Sequence, residues 1–211
     1  MPSATRIQYN LPSESYLDKL LTDDLILRDV KDDYSYSKYR SEFYDTPDWL
    51  LTHAGYSTDV DLEQALPVVH LARARLMPEE LPGLLRGETW TAPFESVDTM
   101  VEALAQRGAP KEYLDLARGR ELVCHFAIAH SCKSTTLYLP DRTRISMSFD
   151  SSVMMAGGRK GPSYELVMDL LFGEERQLIN YCEPIPDRCD QPPELLSRER
   201  RALRLMGLEE S

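Results

Sequence analysis

Cys124, His130 and Cys132 lie an even number of residues apart, so on an extended strand all three side chains leave the same face. Two thiols and an imidazole on one face could ligate a metal, although packing in a strand wall is the commoner fate of such residues. The four cysteines, Cys124, Cys132, Cys182 and Cys189, show no close paired spacing. Neither a disulfide framework nor a zinc knuckle is signalled, and reduced thiols are expected. A second reactive run is Ser197-Arg198-Glu199-Arg200-Arg201-Ala202-Leu203-Arg204, whose arginines could meet phosphate. Interleaved Glu makes the solvated face of a terminal helix the simpler reading. The net charge of -11, from 35 acidic against 24 basic residues, opposes a general nucleic-acid surface, because such surfaces neutralise phosphate with Lys and Arg.

The elements that must position these residues read as one domain, since 211 residues suffice to bury about 70% of the unfolded surface. No apolar run approaches the length of a membrane span, and the first residues lack the order of a signal peptide, so a cytoplasmic protein without membrane partners is expected. Alternation predicts a strand from Arg6 to Leu11, then a short helix opened by Pro12-Ser13-Glu14-Ser15, with Tyr16, Leu17, Leu20 and Leu21 as its stripe. Strands are expected over 24–30, 34–44, 56–63, 66–76 and 84–91. Thr46 is expected to cap a helix that Gly55 ends, Ser96 to cap one over 97–106, and Pro110 to start another through Leu116. Strands follow over 121–129, 135–139, 144–149 and 163–172, and the tail reads as helical. Many antiparallel strands with inserted helices indicate α+β, and barrel closure would remove the exposed edges.

The run Tyr44-Asp45-Thr46-Pro47-Asp48-Trp49-Leu50-Leu51, followed by Ala54-Gly55-Tyr56-Ser57-Thr58-Asp59-Val60-Asp61, resembles the tyrosine-aspartate-threonine-proline segment of the CYTH domain, the triphosphate tunnel family. Two later pieces are similar to that family: Ile145 to Asp150 with Ala156-Gly157, and Tyr164-Glu165-Leu166-Val167-Met168-Asp169-Leu170-Leu171-Phe172-Gly173. The resemblance covers residues 6–178 in consistent order. It implies an antiparallel β-barrel tunnel with peripheral helices over 1–184 and a C-terminal extension, expected to be helical, over 185–211. Members of the family include inorganic triphosphatases, thiamine triphosphatases and class IV adenylyl cyclases. Basic side chains there hold a triphosphate, and carboxylates hold Mg²⁺ or Mn²⁺.

This chain departs from that pattern at the chemistry. The places of the opening glutamate-any-glutamate-any-lysine are Arg6, Gln8 and Asn10, and two triphosphate-binding arginine places are Asp59 and Asp61. His70 and Ala72 stand where threonine-any-lysine is usual, with Arg73 and Arg75 close by. Arg86 and Glu88 are kept but Trp90 replaces the next acid, and in the final acidic strand Glu165 and Asp169 remain while Val167 interrupts them. At about 4 Å and an effective dielectric near 20, each charge pair is worth roughly 4 kcal/mol. Turning one Arg–phosphate attraction into an Asp–phosphate repulsion therefore costs about 8 kcal/mol gross, as much as a micromolar complex contains.

Two functional readings follow from the resemblance. In the first, the barrel has lost triphosphate and metal chemistry, and its tunnel holds a small-molecule or cationic ligand or serves a protein partner, with no cofactor. Arg6, Gln8, Asn10, Asp59, Asp61 and Arg86 are then the ligand-contacting residues, and Asp59, Asp61, Glu88, Glu165 and Asp169 make the lumen partly acidic. Arg6 reads either as a swapped ion-pair partner of Asp59 or Asp61 or, with Asp59, as merely exposed. In the second, a rebuilt triphosphatase uses Glu88, Glu165 and Asp169 to ligate Mg²⁺ or Mn²⁺, and Arg73, Arg75 or Arg86 to bind phosphate. Strand parity sets Arg73 opposite to Ala72, so that version needs a bulge. Tyr44, Asp45 and Asp150 are read as structural, and Trp49 as a packing residue.

Overall fold

Eight strands close into a barrel in a computed structural model that describes residues 3–62, 66–77, 80–188 and 196–208. They are β1 Ser3–Leu11, β2 Ser35–Asp45, β3 Tyr56–Asp61, β4 Val68–Leu76, β5 Leu84–Pro93, β6 Val123–Tyr138, β7 Arg144–Ala156 and β8 Arg159–Phe172. The order around the barrel is β1-β5-β4-β3-β2-β6-β7-β8, and every neighbouring pair is antiparallel. The helices are α1 Glu14–Leu21, α2 Asp24–Asp29, α3 Leu50–His53, α4 Val97–Gln106, α5 Lys111–Ala117, α6 Glu175–Cys182 and α7 Arg198–Met206. None among the described residues is long and apolar enough to cross a membrane.

Period-two alternation sorts each strand into two faces. Ile7 and Tyr9 of β1, Met147 and Phe149 of β7, and Leu166 and Met168 of β8 pack outward under Leu17 and Leu20 of α1, Ile26 of α2, and Leu178 of α6. On the other side Tyr56, Val60, Val69, Leu71, Trp90 and Ala92 pack under α4 and α5 through Met100, Leu104 and Tyr113. Residues of the opposite parity face the lumen. There Phe43, Phe126, Ile128, Met154 and Ala156 gather around Ala202 of α7, so one end of the tunnel holds a helix of its own chain.

Three local expectations change. Where a strand is expected over 24–30, Asp24–Asp29 form a helix, because the Asp23 carboxylate accepts from the Leu25 N–H at 2.9 Å and Ile26 turns into the core, while Val30 alone is extended and bridges to Leu137. A six-residue element is too short for periodicity to separate strand from helix. The helix expected from Thr46 starts at Leu50, and Thr46 shares the capping with Asp45: Thr46 Oγ1 accepts from Leu50 N–H at 2.9 Å, and Asp45 accepts from Leu51 N–H at 2.9 Å and Thr52 N–H at 2.8 Å. Trp49, with φ of 60°, makes the left-handed step between them, and Gly55, with φ of 82°, ends the helix as expected. The two strands read over 121–129 and 135–139 are one continuous β6. Glu63 and Cys189 lie outside the described residues.

Candidate functional site

The lumen is lined by Arg6, Gln8 and Asn10 from β1, Asp59 and Asp61 from β3, His70 from β4, His130 from β6, Asp150 from β7, and Glu165 and Asp169 from β8. Their register brings them together: Arg6 opposes Asp169, Asn10 opposes Glu165, and Asp59 opposes His70. Arg6 donates to both carboxylate oxygens of Asp169, from Nε at 2.7 Å and from Nη2 at 3.0 Å. The expected pairing of Arg6 with Asp59 or Asp61 is therefore not formed. β3 stands three places from β1 around the barrel, whereas β8 is β1's direct neighbour.

Glu165 is almost fully buried and meets two arginines of α7. Arg198 Nη2 donates to Glu165 Oε2 at 2.7 Å, and Arg201 donates to Glu165 Oε1 and, at 2.6 Å, to Ser163 Oγ. Burial alone would raise the Glu165 pKa, but the charges and hydrogen bonds of Arg198 and Arg201 prevail and hold it at about 2. Across the lumen Ser57 on β3 donates to Glu199 at 2.5 Å, and Asn10 Nδ2 donates to the Leu196 carbonyl at 2.6 Å. α7 thus spans from β8 to β3 and closes that end, where a cavity among Phe43, Trp49, Ser57 and Glu199 has a volume of about 10 Å³. At the β7–β8 turn Gly157 has φ of 56°, and a Cβ there would sit 2.9 Å from Met206 Cγ, so both backbone and space require glycine. The basic run read as a solvated helix face is instead partly buried at Arg198 and Arg201, whose side chains are 23% and 12% exposed.

A second group lies on β3 and β4. One ligand atom each from Asp59, Asp61 and His70 falls within 4.8 Å of the others. Ser41 donates to Asp61 Oδ1 at 2.5 Å, and His70 Nε2 lies 3.4 Å from Asp61 Oδ2. Burial pushes the Asp59 carboxyl up to about 6, helped by the negative charges of Asp61 and Glu199 against His70 and Arg198. Burial acts the same way on Asp61, but His70 and Ser41 outweigh it and lower that pKa. The same charges hold His70 above its ordinary value, led by Asp61. His130 contacts Asp150 through Nδ1 and stacks on Tyr39 with ring centroids 4.3 Å apart. Its Nε2, like that of His70, is buried without a hydrogen-bond partner.

Other expected ligands lie elsewhere. Arg73 pairs with Glu112 of α5 at 3.0 Å and covers the Tyr56 ring, outside the barrel. Arg86 is clamped between Glu80 and Glu175, with its Nε 3.0 Å from Glu175 Oε1, and is removed from the ligand set for the same reason. Glu88 opposes Arg73 and Arg75 opposes Arg86 on the same outer face, because β4 and β5 pair without the bulge that inward arginines needed. The three-ligand strand site also fails. Cys124 and Cys132 are eight residues apart on continuous β6, about 26 Å at the usual rise, and Cys124 Sγ turns to the Phe126 carbonyl.

Similar barrels are known. A proposed adenylyl cyclase of Hippeastrum with a dominant triphosphatase activity superposes with a TM-score of 0.57 at 15% identity, covering 98% of this chain and 97% of that one. The fold is that of the CYTH triphosphate tunnels. A proposed adenylate cyclase of Bacillus halodurans, with a TM-score of 0.54 at 14% identity, covers 95% of this tunnel and is itself covered over 98%. A protein of Pyrococcus horikoshii gives 0.52 at 10%, covering 94% of this tunnel and 98% of its own chain. No family model and no curated protein matches the chain.

The tunnel's residues do not fit the Mg²⁺ or Mn²⁺ site that the family resemblance implies. Its β1 positions are Arg6, Gln8 and Asn10, Asp169 is engaged by Arg6, Glu165 is engaged by Arg198 and Arg201, and Glu88 faces outward. The residues that reasoning from sequence missed are Arg198, Arg201 and the His130–Asp150 pair. The arginines approach Glu165 from more than thirty residues away, and no local pattern announces that contact.

Proposed function

We propose that this tunnel is a repurposed member of its fold class, one that has given up triphosphate chemistry and holds a small cationic ligand in its lumen. The supporting observation is the state of its charges. The lumen arginines Arg6, Arg198 and Arg201 are each engaged by a carboxylate, while Asp61 is contacted by Ser41 and His70 and, among the described residues, Asp59 has no arginine in direct contact. A triphosphate would have to break those arginine pairs and approach two carboxylates, and each close like-charge contact opposes it by roughly 4 kcal/mol at an effective dielectric near 20. A cation meets no such opposition. A protein partner finds no comparable case, because α7 fills one end of the tunnel.

The experiment is phosphate release from tripolyphosphate with Mg²⁺ or Mn²⁺ between neutral and alkaline pH, run on the wild type and on E165A. The expected result is no turnover by folded protein. Metal-dependent release that disappears in E165A would overturn the proposal and establish the alternative, a triphosphatase with a rebuilt carboxylate site around Glu165 and Asp169.

A further inference from the structure

We propose that Asp59, Asp61 and His70 form a binding site for a borderline divalent transition metal, of which Zn²⁺ is the type. The inference rests on the repurposed-tunnel reading and specifies its cationic ligand. It uses none of the positions that a tunnel of the triphosphatase kind devotes to metal.

The register builds the site. Asp59 and His70 are directly opposed partners on β3 and β4, and Asp61 follows Asp59 by two residues on the same face. Their ligand atoms therefore converge within 4.8 Å without any distortion of the sheet. The 3.4 Å between His70 Nε2 and Asp61 Oδ2 lies beyond the usual range of a hydrogen bond, and Nε2 is buried with no hydrogen-bond partner. Two donors about 2.1 Å from a tetrahedral ion stand about 3.4 Å apart, so this gap has the length of a coordination edge. One imidazole and two carboxylates favour Zn²⁺ and its neighbours over Mg²⁺ or Ca²⁺, which take oxygen alone.

Support around the ligands is already in place. Ser41 Oγ donates to Asp61 Oδ1 at 2.5 Å and leaves Oδ2 toward His70, the outer-shell arrangement that orients metal-binding carboxylates. A separate observation comes from β6. The His130 side chain is only 1% exposed, its Nδ1 is held by Asp150, and its buried Nε2 has no hydrogen-bond partner. A carboxylate on one imidazole nitrogen with the other left open is the form of a histidine prepared for metal. His130 faces the lumen from β6, across β2 from Asp61 on β3. His70, with its side chain 34% exposed, leaves a way in from solvent.

The test uses full-length protein stripped with a chelator and titrated with Zn²⁺ by calorimetry, and with Co²⁺ followed by visible absorption. One ion per chain is expected with micromolar or tighter affinity, with Co²⁺ giving the intense visible bands of a low-coordinate site. H70A and the D59N/D61N double variant are each expected to lose at least 100-fold in affinity, and C132S and C124S to keep it. The Asn replacements keep side-chain shape, and a thermal melt of each variant checks folding. The proposal is overturned by no ion bound, by binding that survives both H70A and D59N/D61N, or by binding that follows the cysteines. Spermidine binding in place of metal also overturns it but leaves the repurposed tunnel standing. Tripolyphosphate hydrolysis, measured on the same samples, bears on that broader reading alone.

Discussion

Arg6 and Asp169 oppose each other on adjacent strands and close a two-bond fork, Nε to Oδ1 at 2.7 Å and Nη2 to Oδ2 at 3.0 Å. The fork puts a base on β1 and matches it with an acid on β8, so each is the other's charge partner in the lumen. Both side chains are about a third or more exposed, at 43% and 33%, which limits what the pair contributes. A double-mutant cycle of R6A and D169A should give a coupling of about 0.5–1 kcal/mol in urea unfolding, and that of R6A and D59A near zero. A larger coupling to Asp59 would contradict the observed geometry.

The barrel was legible because alternation survives in most strands and because three separated motifs share one order. Strand parity also carried more than was taken from it. Arg86, Glu88 and Trp90 form one row, and Trp90 is a buried core residue beneath α4 and α5, so the row had to face outward. The same parity correctly set Arg73 apart from Ala72. What sequence could not show was contact between distant segments. Arg198 and Arg201 look like a solvated helix face until the chain folds α7 into the lumen, and Arg6 finds its partner through strand order rather than through any local pattern. The short α2 leaves no helical signature in the sequence because six residues hold less than two helical turns.

Glu165 makes stability depend on acid. Its carboxyl falls from 4.5 to about 2 in the folded protein, because the opposing effect of burial is outweighed by Arg198 and Arg201. A depressed carboxylate pKa stabilises the fold fully above 4.5, and that contribution is lost as pH falls from 4.5 through about 2. The amount is on the order of 3 kcal/mol. E165Q leaves two arginines without their buried partner and should cost about 3–5 kcal/mol at pH 7. Urea midpoints should therefore separate wild type from E165Q at pH 7 and converge towards pH 2; parallel profiles would refute the linkage.

Ala202 is fully buried between α7 and the lumen residues Phe43, Phe126, Ile128 and Met154, so its methyl group sets how closely the helix can seat. Ala202→Leu adds three carbons where no room exists and should cost about 1–3 kcal/mol. Part of that cost is expected as local release of α7 rather than global unfolding, since the eight-strand barrel keeps its own hydrogen bonds. Hydrogen exchange should then show loss of protection over 198–206 with the strand amides unchanged. Uniform loss across the barrel would mean that the helix is integral to barrel stability.

Asp59 works in the opposite sense to Glu165. Burial, with the charges of Asp61 and Glu199 behind it, raises its carboxyl from 3.8 to about 6, so in metal-free protein the ionised form is disfavoured by folding. An acid with a raised folded pKa burdens the native state above that value, and the burden lifts as pH falls from about 6 through 3.8. D59N removes the ionisable group while keeping its shape. With a chelator present, D59N should melt higher than wild type at pH 7, and the gap should close by about pH 4. A fold that retains an unfavourable carboxylate in its lumen carries a cost that packing does not explain, and such groups concentrate where a protein binds or reacts. If D59N melts lower than wild type at pH 7 without metal, Asp59 is a structural acid with a partner in the apo fold, and the cation reading loses its electrostatic ground.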